Sequence, residues 1–224
     1  MLSVVVPTLN SAEHLAACLA RLEAVDELIV VDGGSRDETI AVAEAAGARV
    51  VVAPKGRGPQ LKAGGEAAQG DWILFLHSDT LLGPGWRGVV EQHVQRSTRP
   101  ACFRFKLDDP AWQARVIERG VGLRLLLLGL PYGDQGLLVS RTHYRNMGGY
   151  NPLPLMEDVD LVRRLGRVRV LRADAHTSAD RWRRDGWFRR SARNLLCLGL
   201  YGAGLNVERV TRLYERRSPS LRRR

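Results

Sequence analysis

An α/β fold is predicted here, with a mostly parallel, Rossmann-like central sheet flanked by helices and a helical C-terminal extension. Three observations predict it. Short apolar, β-branched runs alternate with stretches of helical periodicity through residues 2–76. Each run stops at a turn rich in Gly, Pro, Asn or Asp. The chain of 224 residues, 45% of them hydrophobic, is long enough to bury a sizeable core.

The elements follow in order. Residues 2–6 form an apolar strand ending at Pro7. Asn10-Ser11 can cap a helix on which Leu15, Cys18, Leu19 and Leu22 share a face. Residues 27–31 make a second strand, ending in Asp32-Gly33-Gly34. Ser35 and Glu38 have capping-box spacing for a helix running to about Gly47. A third strand at 48–53 leads into the glycine-rich loop 54–59, then a helix at 59–69 that closes at Gly70, then a fourth strand at 72–76. The second half predicts helices at 84–96, 111–128 and 159–165, and strands at 101–107, 137–140 and 167–173. No repeat or low-complexity linker divides the chain.

Short connections between strand and helix imply right-handed crossovers, and ligands of such sheets lie beyond the carboxyl ends of the strands. Residues 7–10, Asp32, the loop at 56–58 and residues 77–79 are therefore expected around one crevice.

Three constellations there carry chemistry. Asp32 beside two glycines can accept a hydrogen bond from a base edge or ribose hydroxyl, or simply hold a tight turn. Arg57 and Lys62 can hold phosphate, although neither G-x-x-x-x-G-K-[ST] nor G-x-G-x-x-G is present. His77-Ser78-Asp79 follows the fourth strand. Asp79 suits Mg2+ or Mn2+ shared with substrate phosphates, and His77 suits Mn2+ better than Mg2+ or can donate to a phosphate or ribose. Glu157, Asp158 and Asp160 cluster at a helix start, where carboxylates complement the helix dipole and raise one another's proton affinity enough to tune a general base.

"SVVVPTLN" at 3–10, "ELIVVDGGSRDET" at 27–39, "GRGPQLKAGGEAAQGDWILFLHSDT" at 56–80 and "MEDVDL" at 156–161 together resemble family 2 glycosyltransferases, over roughly residues 1–175. The chain is most similar to a small bacterial subgroup with histidine, a small residue and aspartate at the strand end. There a threonine-serine followed by arginine-tryptophan comes later, as in Thr177-Ser178 and Arg181-Trp182. The resemblance implies a GT-A fold, a nucleotide-diphosphate sugar donor, a divalent metal, Mn2+ or Mg2+, and inversion at the anomeric carbon. It places Pro7, Thr8 and Asp32 in the nucleoside pocket, with Asn10, Arg57, His77, Ser78, Asp79 and Glu157 along the donor. Asp158 becomes the catalytic base, and Asp79, His77 and His176 the candidate metal ligands. The chain departs from the family's Asp-x-Asp at 77–79 and from its aspartate pair after the second strand. The implied division is 1–175 for the GT-A domain, with a nucleotide-sugar half to about 98 and an acceptor half from 99. Residues 176–224 form a basic helical extension.

The net charge is +10, with arginines crowded into residues 161–193 and 207–224. The apolar stretches 123–130 and 195–205 are flanked by arginines and too short to span a bilayer. They fit an interfacial helix on an anionic membrane with a lipid or isoprenoid acceptor, or a pair of core or homodimer-interface helices. Nucleic acid is excluded as a partner, because no reader motif or stacking platform accompanies the charge and three carboxylates sit at 157–160. The amino terminus runs directly into a strand, so a cytoplasmic protein is expected, peripheral on the inner face of the membrane if the two apolar stretches are interfacial and not core or dimer helices. Three scattered cysteines read as buried thiols. Two alternatives remain at this stage. One is a non-catalytic nucleotide-sugar binder; the other is a nucleotidyltransferase, whose activation loop residues 7–14 lack.

Overall fold

The computed structural model describes residues 1–22 and 25–216. Its first half contains β1 (Leu2–Thr8), α1 (Ala12–Ala20), β2 (Glu27–Asp32), α2 (Thr39–Ala45) and β3 (Arg49–Val52). It continues with α3 (Arg57–Ala67), β4 (Trp72–Phe75), β5 (Thr80–Leu82) and α4 (Trp86–Arg96). The second half runs through β6 (Ala101–Asp108), α5 (Trp112–Leu128), a 3-10 turn at Gly133–Gln135, β7 (Leu137–Ser140), α6 (Arg141–Asn146), α7 (Glu157–Leu165) and β8 (Arg169–Ser178). Three helices end the described chain: α8 (Asp180–Asp185), α9 (Trp187–Gly202) and α10 (Val207–Arg216). Residues 217–224 of the predicted extension lie outside the described residues.

The eight strands of the described residues form one sheet in the order β3-β2-β1-β4-β7-β6-β8-β5. The chain steps outward from β1 to β2 and β3, then returns to lay β4 on the other side of β1, all four parallel. That reversal is a switch point, and a crevice opens beyond the carboxyl ends of β1 and β4. Next, β7 pairs antiparallel with β4, Phe75 opposite Leu137. Its start therefore lies beside the end of β4, and the 3-10 turn just before β7 is carried to the crevice. Similarly, β5 pairs antiparallel with β8, Thr80 opposite Thr177, which brings the end of β8 to Asp79.

Valines 4, 5 and 6 of β1 are fully buried, because both sheet faces are covered. Each such side chain contributes roughly 1.5–3 kcal/mol through removal from water. One face packs Leu15, Leu19, Trp86 and Val90 from α1 and α4. The other packs Leu61, Tyr144 and Leu161 from α3, α6 and α7. The three cysteines are buried as expected and form no disulfide among the described residues, and burial pushes the Cys18 thiol up to about 12.

Several expectations are corrected. The helix expected from Ser35 begins at Thr39, because Ser35 is used elsewhere: its backbone N–H and hydroxyl both donate to Asp32. The helix expected from Pro59 begins at Arg57, so Pro59 occupies the first turn, where its missing N–H costs nothing. The last strand runs over 169–178, beyond the expected 167–173. The short β5 and α6 went unpredicted.

Candidate active site

A cavity of about 120 Å3 opens beyond the carboxyl end of β4, beside the start of β7 and the end of β8. Of the sequence-predicted residues, Arg57, His77, Asp79, Glu157 and Asp158 line it. Arg57 starts α3, His77 and Asp79 follow β4, and the two carboxylates sit in the first turn of α7. Met156, just before α7, adopts φ +63°, and the two residues that follow it, Glu157 and Asp158, are nearly fully buried and line the cavity. A non-glycine residue in that region is strained, and such strain gathers at functional sites.

Asp158 is firmly fixed. Its Oδ1 accepts from the Tyr150 hydroxyl at 3.1 Å, and its Oδ2 from the Gly133 N–H at 3.0 Å. Position 133 requires glycine, because a Cβ there would lie 2.6 Å from Asp158 Oδ2 and closer still to His77 Nε2. The turn carrying Gly133 thus packs flush against two candidate functional side chains.

Arg57 Nε pairs with Glu157 Oε1 at 2.9 Å, and this carboxylate holds the guanidinium pKa above its ordinary value. Burial pushes Glu157 up, Arg57 opposes, and adjacent Asp158 adds to the rise, leaving it above the usual carboxylate range. Burial, with Arg57 nearby, drives His77 down to about 4, and its Nε2 is buried with no hydrogen-bond partner among the described residues. His77 is therefore a neutral imidazole with a free ring nitrogen. For Asp79, burial raises the carboxyl, but Arg181, at 3.3 Å, and the neighbouring His77, His14 and Arg57 outweigh it and hold the group below its usual range.

The remaining predicted residues lie elsewhere. Asp32 is buried at the end of β2, its carboxylate accepting from the Gly34 and Ser35 N–H groups and from the Ser35 and Thr8 hydroxyls. Asn10, at φ +48°, donates its N–H to Ser35 Oγ and accepts from the Arg36 N–H. Pro7 is a buried strand residue, and Ser78 donates to Ser11 Oγ at 3.2 Å. His176 lines a neighbouring cavity of about 480 Å3 with His14 and the other side of Asp79. The three candidate metal ligands do not converge on one point, and among the described residues no three His, Cys, Asp or Glu side chains form a metal cage.

Sequence reasoning missed Asp134 and Tyr132 on the turn before β7, and Arg190, Asn194 and Tyr214 from α9 and α10, all of which line the cavity. Asp134 Oδ1 is buried without a hydrogen-bond partner among the described residues. Burial, opposed by Arg124 and reinforced by Asp158 and Asp79, pushes Asp134 up to about 6. A signal existed in Gly133-Asp134-Gln135, a polar turn directly before an apolar strand. Arg190 and Tyr214 left none, since their positions depend on how α8–α10 fold back. There Asp185 is buried and binds Arg190 at 3.1 Å and Arg193 at 2.8 Å.

A sheet with a switch point, carboxylates at its carboxyl edge and an arginine at the start of α3 fit an α/β architecture of the GT-A type. The chain belongs to glycosyl transferase family 2, whose model matches residues 3–116. That match ends at the start of α5, short of the resemblance noted at 156–182. A PGL/p-HBAD biosynthesis glycosyltransferase of Mycobacterium bovis (strain BCG / Pasteur 1173P2) is 40% identical over 93 residues, covering 37% of this chain and 36% of that protein. An uncharacterized glycosyltransferase of Mycobacterium tuberculosis (strain ATCC 25618 / H37Rv) is 39% identical over 84 residues, covering 37% of this chain and 38% of its own length. The chain thus spans little more than a third of these relatives. Among solved structures, Staphylococcus aureus TarS matches with a TM-score of 0.60 at 18% identity, over 95% of this chain and 42% of that one. Glucosyl-3-phosphoglycerate synthase from Mycobacterium tuberculosis, in complex with Mn2+, UDP and glucosyl-3-phosphoglycerate, matches with a TM-score of 0.55 at 23% identity, over 80% of this chain and 70% of that one. Both likenesses show the fold.

Proposed function

We propose that this protein transfers a sugar from a nucleotide-diphosphate sugar to an acceptor hydroxyl with inversion, and that it belongs to a subgroup of the family with His-x-Asp at the strand end. The carrying observation is Asp158, fixed by two donors and facing the same small cavity as Asp79. In the proposed step the acceptor oxygen bonds to the anomeric carbon as its proton passes to Asp158. The bond from that carbon to the diphosphate oxygen breaks, and the electron pair leaves with the diphosphate. Arg57 and Arg181 stand where they can balance the departing charge.

The donor set fits a divalent cation held partly by substrate. Asp79 supplies a carboxylate with one arginine partner, and the unpartnered Nε2 of His77 supplies a nitrogen that favours Mn2+ over Mg2+. Such a cation, when bound, would stabilise negative charge on the diphosphate. His176 would join only by moving across Asp79. Pro7, Thr8, Asn10 and Asp32 would flank the nucleoside, Asp32 exchanging one of its turn bonds for it, and Ser78 and Glu157 would line the donor path. In the proposed division, residues 1–98 form the donor half and 99–175 the acceptor half. The described part of the extension, residues 176–216, would roof the site, and its proposed boundary falls inside β8. A lipid or isoprenoid acceptor is supported by the exposed apolar side chains of α5 and α9.

The test is a thermal-shift panel of nucleotide-diphosphate sugars with and without Mn2+, followed by donor hydrolysis and transfer assays on wild type and Asp158→Asn. One sugar nucleotide should stabilise the protein in a metal-dependent way. Asp158→Asn should retain that shift while turnover drops by about 10²–10⁴-fold. Indifference to every donor overturns the reading, and donor binding without turnover in wild type identifies a non-catalytic binder.

A further inference from the structure

Fourteen large apolar side chains are exposed among the described residues, and nine of them lie on only two helices, six on α5 and three on α9. Scattered exposed apolar residues are ordinary; a concentration of this kind marks an interaction surface. On α5, Trp112, Val116, Leu123 and Leu127 recur at helical spacing, and Leu126 is 82% exposed. On α9, Phe188, Leu195 and Leu196 form a second stripe. The Trp112 and Phe188 rings meet at 5.9 Å, so the two stripes join at their amino-terminal ends.

The surroundings of this apolar surface identify its partner. A groove of about 880 Å3 runs along α5, floored by Leu125–Leu128, Val168 and Val170 and walled by Arg104, Lys106, Arg115, Arg119 and Arg167. Its single carboxylate, Glu118, is nearly buried and already bound to Lys106 and Arg115. Arg119 and Arg167 in the groove, and Arg189 on the exposed face of α9, are exposed and make no ion pair among the described residues. A second copy of a chain with net charge +10 would set cation against cation here. A bilayer rich in anionic phospholipid matches both features, accepting the leucines below the headgroups and the guanidiniums at the phosphates. An exposed tryptophan where the stripes meet suits the water–lipid boundary. No helix among the described residues is long and apolar enough to cross a membrane, so contact would be at the surface.

We propose that α5 and α9 form a peripheral docking surface for an anionic phospholipid bilayer. The inference rests on exposure and charge and does not depend on the transferase reading.

The test is co-sedimentation of the full chain, without donor or metal, with phosphatidylcholine vesicles and with vesicles containing phosphatidylglycerol. Binding should be confined to the anionic vesicles and should weaken as salt rises. The double variant Leu126→Glu, Leu127→Glu and, separately, Arg119→Glu, Arg167→Glu should each lower the bound fraction at least tenfold. Because all four side chains are exposed, circular dichroism and melting temperature should stay at wild-type values, and donor-induced thermal shifts should persist. Failure to pellet with anionic vesicles overturns the proposal, as does a dimer in light scattering that Leu126→Glu, Leu127→Glu dissociates. Either failure leaves the donor-binding result standing.

Discussion

His77 and Asp134 face the same cavity and are perturbed in opposite senses, so their effects on stability run opposite with pH. Burial, with Arg57, takes His77 down to about 4, below the roughly 6.5 of a free imidazole. Its neutral form is favoured by folding, so its contribution is complete above about 6.5 and is lost as pH falls toward 4. Asp134, raised by burial to about 6, contributes in the reverse sense: fully present below the ordinary carboxylate pKa and lost as pH rises through about 6. Comparing wild type with His77→Asn separates the two. In buffer containing a chelator, the stability difference between them should shrink by up to roughly 3 kcal/mol between pH 7.5 and pH 4.5. Urea titrations at both pH values measure it, and a difference that does not change with pH refutes the assignment of a neutral, buried imidazole.

At the level of elements, the crevice depends on how α3 is tied to the strand ends. Gln60 of α3 is buried and donates from one nitrogen to the carbonyls of Thr8 at 2.6 Å and Val31 at 2.8 Å, which close β1 and β2. Gln60→Leu keeps the volume and removes both bonds, stranding two carbonyls at roughly 1–3 kcal/mol each. The expected loss is about 2–5 kcal/mol of unfolding free energy in urea, with Gln60→Glu at least as damaging because a carboxylate would face two carbonyl oxygens; a loss under half a kcal/mol would count against this tether. The strands that α3 joins were legible in sequence because each is a continuous apolar run of a parallel sheet buried on both faces. The start of α2 was not, since Ser35 and Glu38 fit a capping box locally while Asp32, three residues earlier, binds Ser35 instead. Neither β5, of three residues, nor α6, of six, is long enough to show a period.

Across the whole molecule, the cavity draws residues from Arg57 to Tyr214. Its floor was legible: Arg57, His77, Asp79 and Asp158 stand at element ends, where strand direction alone fixes their side of the sheet. Its roof was not, because Arg190 and Tyr214 reach the cavity only through the packing of α8, α9 and α10. Val210 of α10 is fully buried against Leu155 and Cys197, and the Tyr214 ring lies 4.8 Å from the Arg193 guanidinium. The described end of the chain is therefore part of the wall beside Glu157 and Asp158, and it limits the room left for water. The proposed transfer requires that water be kept from the anomeric carbon until the acceptor hydroxyl is in place. Removing residues 207–224 should raise donor hydrolysis relative to transfer, lower stability by a few kcal/mol through exposure of Leu155 and Cys197, and leave donor affinity within a few-fold of wild type. Tyr214→Ala, which leaves the Val210 contact in place, should shift the same ratio in the same direction with little loss of stability. If truncation and Tyr214→Ala both leave the ratio of hydrolysis to transfer unchanged, α10 is structural support and takes no part in excluding water.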